Sequence, residues 1–434
     1  MFEKLPDEIV LQILTGLCIR DLFNAQGTCA QTSRVLHERG PWYDALCNVL
    51  ALPRSAVTTV LKGASVEEVR HRAMKAQYVN ENWARTRVHP RHVRTYRWRG
   101  LRDIQILPGG EWLVCVSMDG TLEMRKVERS LQVVIASRFF LGIVPLYRKT
   151  CCSRLYVYEV VVSPEPNLRC MIAISTSDLG RQARSFRNAA ISGNILAFDC
   201  YWDGRDMLCL RSIIPNSDGV QEQAAFLYDK SNCTIHILSS HIVLLADGSS
   251  IQVHKIPRLY PVSDTNASPE VVENEIIFSH QLQLTSPGNM SGSPAVWDHL
   301  NGGHIGPMTL LGPGTLHIVQ PSADLKNYEL STFRVPEIIA SYPAVGLRYG
   351  LSAQIEPGHG LVFRTVKHPD VVEHDDKEQR PPVSSDRVPM GHFVVDEIKH
   401  LAPIAVRIDE WTGRACLILE DGPDHRSLAI LDIV

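Results

Sequence analysis

From about Arg97 to the end of the chain, short alternating runs follow one another with turn residues between them, and very little helical spacing appears. Trp112-Leu-Val-Cys-Val-Ser-Met alternates in part, Asp119-Gly120 makes a turn, and Thr121-Leu-Glu-Met-Arg-Lys-Val alternates for most of its length. Asp-Gly between two such runs is a strong hairpin signal, because both residues tolerate the positive φ that a two-residue turn demands. The unit returns as Ile242-Val-Leu-Leu-Ala, Asp247-Gly248 and Ser249-Ser-Ile-Gln-Val-His-Lys-Ile. The two turns lie 128 residues apart, about three units of ~43 residues, the size of one four-stranded propeller blade.

Further hairpin patterns fill the gaps. Asp203-Gly204 divides Leu196-Ala-Phe-Asp-Cys-Tyr from Met207-Leu-Cys-Leu, and Ser231-Asn232 lies between Ala224-Ala-Phe-Leu-Tyr-Asp-Lys and Thr234-Ile-His-Ile-Leu. Gly358-His-Gly360 precedes Leu361-Val-Phe-Arg-Thr-Val, and Glu410-Trp-Thr-Gly413 precedes Ala415-Cys-Leu-Ile-Leu. So long a succession of short strands without long helices favours a β-propeller of six to eight blades over a sandwich, which is usually far smaller. No Gly-His…Trp-Asp signature recurs, so a regular WD-repeat array is not expected. The chain ends on a strand pattern, Leu428-Ala-Ile-Leu-Asp-Ile-Val434, which suits a ring closed by its last strand.

The first fifty residues follow a different rule. Pro6 suits a first helical turn, and Asp7 and Glu8 place negative charge at the positive end of the helix dipole. Ile9, Ile13, Leu14 and Leu17 recur at helical spacing, and Gly16 keeps this helix short. Asp21 is the expected N-cap of a second helix carrying Leu22 and Phe23. A third helix is expected from about Cys29 to Glu38, stopped by Gly40-Pro41, with Trp42, Leu46, Val49 and Leu50 in a further turn or two. So few residues cannot bury much of their own apolar surface. Something must cover the module: the rest of the chain, as a helical cap in cis, or another protein.

Leu5-Pro6, Glu8-Ile9, Ile13-Leu14, Leu17, Asp21-Leu22, Thr28-Cys29 and Trp42 together resemble the F-box. The resemblance covers roughly residues 3–50, about a ninth of the chain. Thr32 stands where the family often has Trp. The resemblance implies docking to the Skp-type adaptor of a cullin–RING ubiquitin ligase, with the remaining chain holding a protein target. It implies an adaptor-facing set of Leu5, Pro6, Ile9, Ile13, Leu14, Leu17, Leu22 and Cys29. The whole arrangement of F-box, helical connector and irregular propeller-like region is similar to that of a large group of fungal F-box proteins.

Between the two parts, Ser65-Val-Glu-Glu68 has capping-box form. Val66, Val69, Ala73, Ala76 and Val79 follow at helical spacing, and Pro90 ends the helix near Arg85–Pro90. The expected organisation is therefore α+β and multidomain: an all-α module over 1–50, a helical connector over 51–95 and an all-β propeller-like domain over 96–434.

Net charge is −3 overall, but residues 1–100 carry +6 and the remainder −9. The basic excess gathers in Arg85–Arg102, where seven arginines interleave with Tyr96 and Trp98. Such a run reads as a solvated basic edge, as a nucleic-acid contact, or as a site for an acidic or phosphorylated peptide through Arg94, Arg97 and Arg99. No nucleic-acid module surrounds it. Residues 262–275 and 367–390 are polar insertions rich in Pro, Ser, Asp and Glu, read as solvated loops.

No apolar run approaches the ~20 residues that span a bilayer, and the acidic, amphipathic first residues, without a basic n-region, lead us to expect no secretory signal. The 11 cysteines are scattered without zinc spacing, which suits reduced thiols in cytosol or nucleus. His89, His92, Asp298, His299 and His304 match no metal-ligand pattern, so neither metal nor cofactor is expected. Gly288-Asn-Met-Ser-Gly-Ser-Pro294 resembles the nucleophile loop of some bacterial serine proteases, with one residue too many before Ser291. Ser291 would need a base such as His280, and a surface turn explains the segment as well. No other catalytic motif appears, so a non-enzymatic role is expected.

Overall fold

A computed structural model of the chain describes residues 5–50, 61, 64–83, 85, 90–107, 110–118, 121–127, 138–143, 154–161, 167–179, 183–228, 233–239, 242–246, 250–262, 271–282, 291–292, 308–312, 314–322, 327–335, 342–345, 349–367, 390–409, 412–422 and 425–433. Among the described residues five helices come first: α1 Asp7–Thr15, α2 Ile19–Gln26, α3 Ala30–Val35, α4 Arg39–Leu50 and α5 Val66–Trp83. Among the described residues the regular elements after them are strands, apart from one short 3-10 turn at Thr176–Leu179.

The strands form seven antiparallel sheets among the described residues. Within each sheet consecutive strands lie side by side, apart from one strand in the third sheet and one in the last that join out of chain order. Each sheet packs face to face on the next through its own apolar cluster. Leu107, Val114 and Val160 join the first sheet to the second, and Leu155, Ile174, Phe186 and Phe198 join the second to the third. The series continues through Phe226 with Ile235, Val253 with Leu310, Leu311 with Val366, and Phe363 with Leu417. Leu101, Leu113, Ile418 and Leu428 join the last sheet back to the first. Seven sheets with an apolar seam at every junction, the last returning to the first, make a closed ring, so the domain is a β-propeller.

The ring closes by strand pairing as well. The first strand, His92–Arg99, lies antiparallel to the last, His425–Asp432, from His92 opposite Asp432 to Arg99 opposite His425. The last sheet is thus built from both ends of the propeller, with the order 92–99, 425–432, 414–420, 402–409. This pairing is the closure expected of a chain that ends on a strand.

Six to eight four-stranded blades were expected, and five sheets reach four strands among the described residues. The two built from 101–126 and 138–175 have three among the described residues. The fifth strand of the third sheet is Tyr260–Pro261, which reaches over from the fourth sheet's sequence to pair with Glu222 and Gln223. The hairpin expected across Ser231-Asn232 is also corrected. Glu222–Tyr228 closes the third sheet and Thr234–Ser239 opens the fourth, so that connection passes between sheets.

The other hairpins pair as expected. Trp112–Ser117 faces Leu122–Lys126, Ile242–Ala246 faces Ser250–Lys255, and both hairpins join the second and third strands of sheets three apart in the ring. The turn dipeptides Asp119-Gly120 and Asp247-Gly248 lie outside the described residues. Asp203-Gly204 is described, with φ of 46° and 80°. Two successive positive φ values mark the type I′ turn, whose twist matches its strands.

Candidate functional site: the helical module

The module folds around a core of Val10, Leu14, Ile19, Leu22, Val35, Leu36, Trp42 and Leu46, completed by Val69, Ala73 and Ala76 of α5. Trp42 is fully buried, and its Nε1 donates to the Leu36 carbonyl at 2.8 Å. Pro41, expected to stop the third helix, sits instead in the first turn of α4, where proline costs no hydrogen bond.

Three polar clamps fix the short helices. Asp7, in the first turn of α1, accepts from Arg34 at 2.7 and 2.8 Å and from the Gln31 amide at 2.9 Å. These bonds from Gln31 and Arg34 hold its carboxyl below the usual range. Gln31 also donates to the Leu5 carbonyl at 2.7 Å, so α3 pins the entry to α1. The N-cap of α2 is Cys18, not Asp21. Its sulfur accepts from the Asp21 amide at 3.4 Å, and Asp21 lies inside the first turn. Cys29 caps α3 in the same way, accepting from the Thr32 amide at 3.5 Å.

Thr32, where the family often has Trp, is 2% exposed. Its hydroxyl lies 2.9 Å from the carbonyls of Ala25 and Cys29. A small hydrogen-bonded side chain fills the place, and the third helix forms without the indole.

The expected adaptor-facing set divides in two. Leu14 and Leu22 are buried in the module's own core, and Leu5 and Leu17 pack partly against it. Leu14 and Leu22 are held by the module itself, while Leu5 and Leu17 keep part of their surface open. Cys29 serves as a helix cap. Pro6 is exposed, Ile9 and Ile13 are 42% and 43% exposed, and Phe23 is 53% exposed. Sequence reasoning missed Val10, fully buried beside Leu14. On a helix of nine residues, 9/13 and 10/14 are both four-residue pairs, so spacing alone leaves the phase open. Arg70 of α5 lies 5.7 Å from the Phe23 ring centroid and 5.2 Å from that of Trp42, within cation–π range.

The arginine run is divided as well. His92–Arg99 is the outermost strand of the closing sheet. Arg94 pairs with Asp432 at 2.6 Å. Arg97 is 92% exposed and 3.9 Å from Asp421, and Arg99 is exposed. Arg125 lies 3.9 Å from the centroid of Trp98. Charges on an edge strand discourage pairing with a second sheet, which accounts for the run as a solvated basic edge. Arg94 is a structural residue of the ring.

Among the described residues no three His, Cys, Asp or Glu side chains are grouped to hold a metal, and no helix is long and apolar enough to cross a membrane. None of the nine described cysteines is in a disulfide. Ser291-Gly292 forms a short strand paired with Leu311 and Leu310 rather than the expected surface turn. His280 lies on the outermost strand of the preceding sheet. His89, Asp298, His299, His304 and most of both polar insertions lie outside the described residues.

No protein-family model matches this chain, and no curated protein does. Among solved structures it is similar to the β-propeller domain of Myceliophteria thermophila Cps50 (Swd1), at 9% identity and a TM-score of 0.44, over 80% of this chain and 100% of that one. The propeller assignment here rests on strand order and ring closure.

Proposed function

We propose that this protein is a non-catalytic receptor of a cullin–RING ubiquitin ligase, working in cytosol or nucleus. In this reading the helical module docks to a Skp-type adaptor and the propeller holds a protein target. The observation that carries the reading is the apolar surface that the module leaves uncovered, Pro6, Ile9, Ile13 and Phe23. Pro6, Ile9 and Ile13 share one face of α1 at three- and four-residue spacing. Exposed apolar side chains grouped in this way mark a partner surface, and the same stretch carries the F-box resemblance. The rival reading, a propeller scaffold whose N-terminal helices pack only in cis, draws on Val10, Leu14 and Leu22, which the module's own helices cover. A propeller is a suitable interaction scaffold in either case.

The test is co-purification of the full chain with a Skp-type adaptor, comparing wild type with Ile9→Ala/Ile13→Ala. Each fully covered aliphatic side chain contributes ~1.5–3 kcal/mol, so the double variant is expected to lose adaptor capture while its circular dichroism is unchanged. Equal capture by both proteins refutes docking through this face. Binding to single-stranded nucleic acid that weakens steeply with salt would instead favour a role for the arginine edge.

A further inference from the structure

The helical module and the closing sheet are joined by more than the chain that runs between them. The first half of α5 completes the module's core through Val69, Ala73 and Ala76. Its second half enters the wall between the last two sheets, where Val79 and Trp83 share one buried cluster with Leu351, Phe363, Leu417 and Leu431. Trp83 stacks on Tyr349 with ring centroids 5.7 Å apart. The Tyr349 hydroxyl donates to the Asn80 backbone carbonyl at 3.1 Å and also meets the Asn80 side-chain oxygen.

The charges and backbone around α5 also bring it to the seam. Lys75 lies within the field of Asp409, Arg414 and Asp432, and Asp432 is the carboxylate that holds Arg94 of the outermost strand. Just beyond α5, the Arg85 carbonyl passes so close to Gly391 that a Cβ there would lie 2.5 Å from it. By His92 the same chain has become the outermost strand of the closing sheet. The segment therefore meets the seam twice, first as a wedge in its wall and then as its edge strand.

We propose that α5 is a latch on the propeller. Seating of α5 between the last two sheets and pairing of His92–Arg99 with His425–Asp432 form one cooperative element. Displacing the module loosens the closing strand, and straining the seam frees the module. Such coupling is reciprocal by thermodynamic necessity, so a load on the propeller's closing sheet is felt at the module, whatever the module binds.

The experiment is hydrogen exchange of the full chain, read by mass spectrometry over Val66–Trp83, His92–Arg99, His425–Asp432 and, as an internal reference, Ile195–Ser212. Tyr349→Phe removes one hydrogen bond from the α5 side, and Asp432→Asn weakens the seam from the other. Each is expected to speed exchange in α5 and in both closing strands by a common factor, up to about tenfold for one lost hydrogen bond. Exchange in Ile195–Ser212 is expected to stay unchanged. Trp83→Leu is the stronger perturbation from the α5 side. Variants that speed exchange only on their own side overturn the latch. So does a set in which none of the three raises α5 and the closing strands together.

Discussion

Asp432→Ala tests what holds the ring shut. Asp432 ends the last strand and faces both neighbours, opposite His92 on one side and Arg414 on the other. Its carboxylate accepts from Arg414 Nε and Arg94 Nη2, each at 2.6 Å. The Arg414 side chain is 4% exposed, and its other end donates to the Gly110 carbonyl. Removing the carboxylate strands a buried guanidinium, which costs about 3–5 kcal/mol when one partner of a buried pair is deleted. The Arg94 pair is more exposed, at 22% and 16%, and adds at most ~1 kcal/mol. A loss of about 4 kcal/mol is expected, read as a lower urea midpoint in tryptophan fluorescence. Asp432→Leu with Arg414→Met removes both charges and is expected to recover most of that loss, because no lone charge stays buried. If Asp432→Ala costs less than ~1 kcal/mol, or if the double variant is worse than the single, the carboxylate is not the clasp of the ring.

Acid should weaken the propeller through its buried histidines. Burial lowers the pKa of His254 to about 4 despite a raising hydrogen bond from Asn274, and burial aided by the charge of His280 does the same to His317. The unfolded chain binds protons at ~6.5, so this stability is intact above pH 6.5 and is lost as pH falls towards 4, by about 2 kcal/mol per residue at pH 5. Urea midpoints at pH 7 and pH 5 measure the loss, and a His317→Gln variant with an undiminished pH slope would refute its share. Gly360→Ala and Gly358→Ala separate backbone strain from crowding. Both positions have positive φ, 77° and 80°, which costs an alanine ~1–2 kcal/mol. At Gly360 a Cβ would also lie 2.3 Å from the Lys399 carbonyl, whereas Gly358 faces open space. Gly360→Ala should therefore lower the thermal midpoint further, and equal midpoints would refute the crowding.

The propeller was legible because its hairpins obey local chemistry. Asp-Gly joins the second and third strands in four of the sheets, at 119–120, 203–204, 247–248 and 421–422. A turn between two adjacent strands needs only local φ values, so it leaves a local mark. Passages from one sheet to the next carry no such mark, which is why Ser231-Asn232 read as a hairpin and joins two sheets instead. The count of four-stranded blades was illegible for a related reason. Whether a sheet gains a fourth or fifth strand depends on a segment such as Tyr260–Pro261 crossing to a neighbour. That is a tertiary choice, with no period in the sequence to announce it.

At the module the apolar residues were legible and their direction was not. Ile9 and Val10 are adjacent and similar, and one is exposed while the other is fully buried. What decides between them is the position of α3, set by Asp7 with Gln31 and Arg34 more than twenty residues away. The stripe on α5 shows the opposite case. Of Val66, Val69, Ala73, Ala76 and Val79, expected at helical spacing, the last four are buried and Val66 is half-buried, because eighteen residues are long enough to fix a helical phase. The face they make serves two cores in succession, with the small residues against the module and Val79 and Trp83 against the propeller. A connector built as a flexible tether would have no reason to keep one apolar face through both halves. This one keeps it, and the module is therefore held at a fixed attitude to the ring.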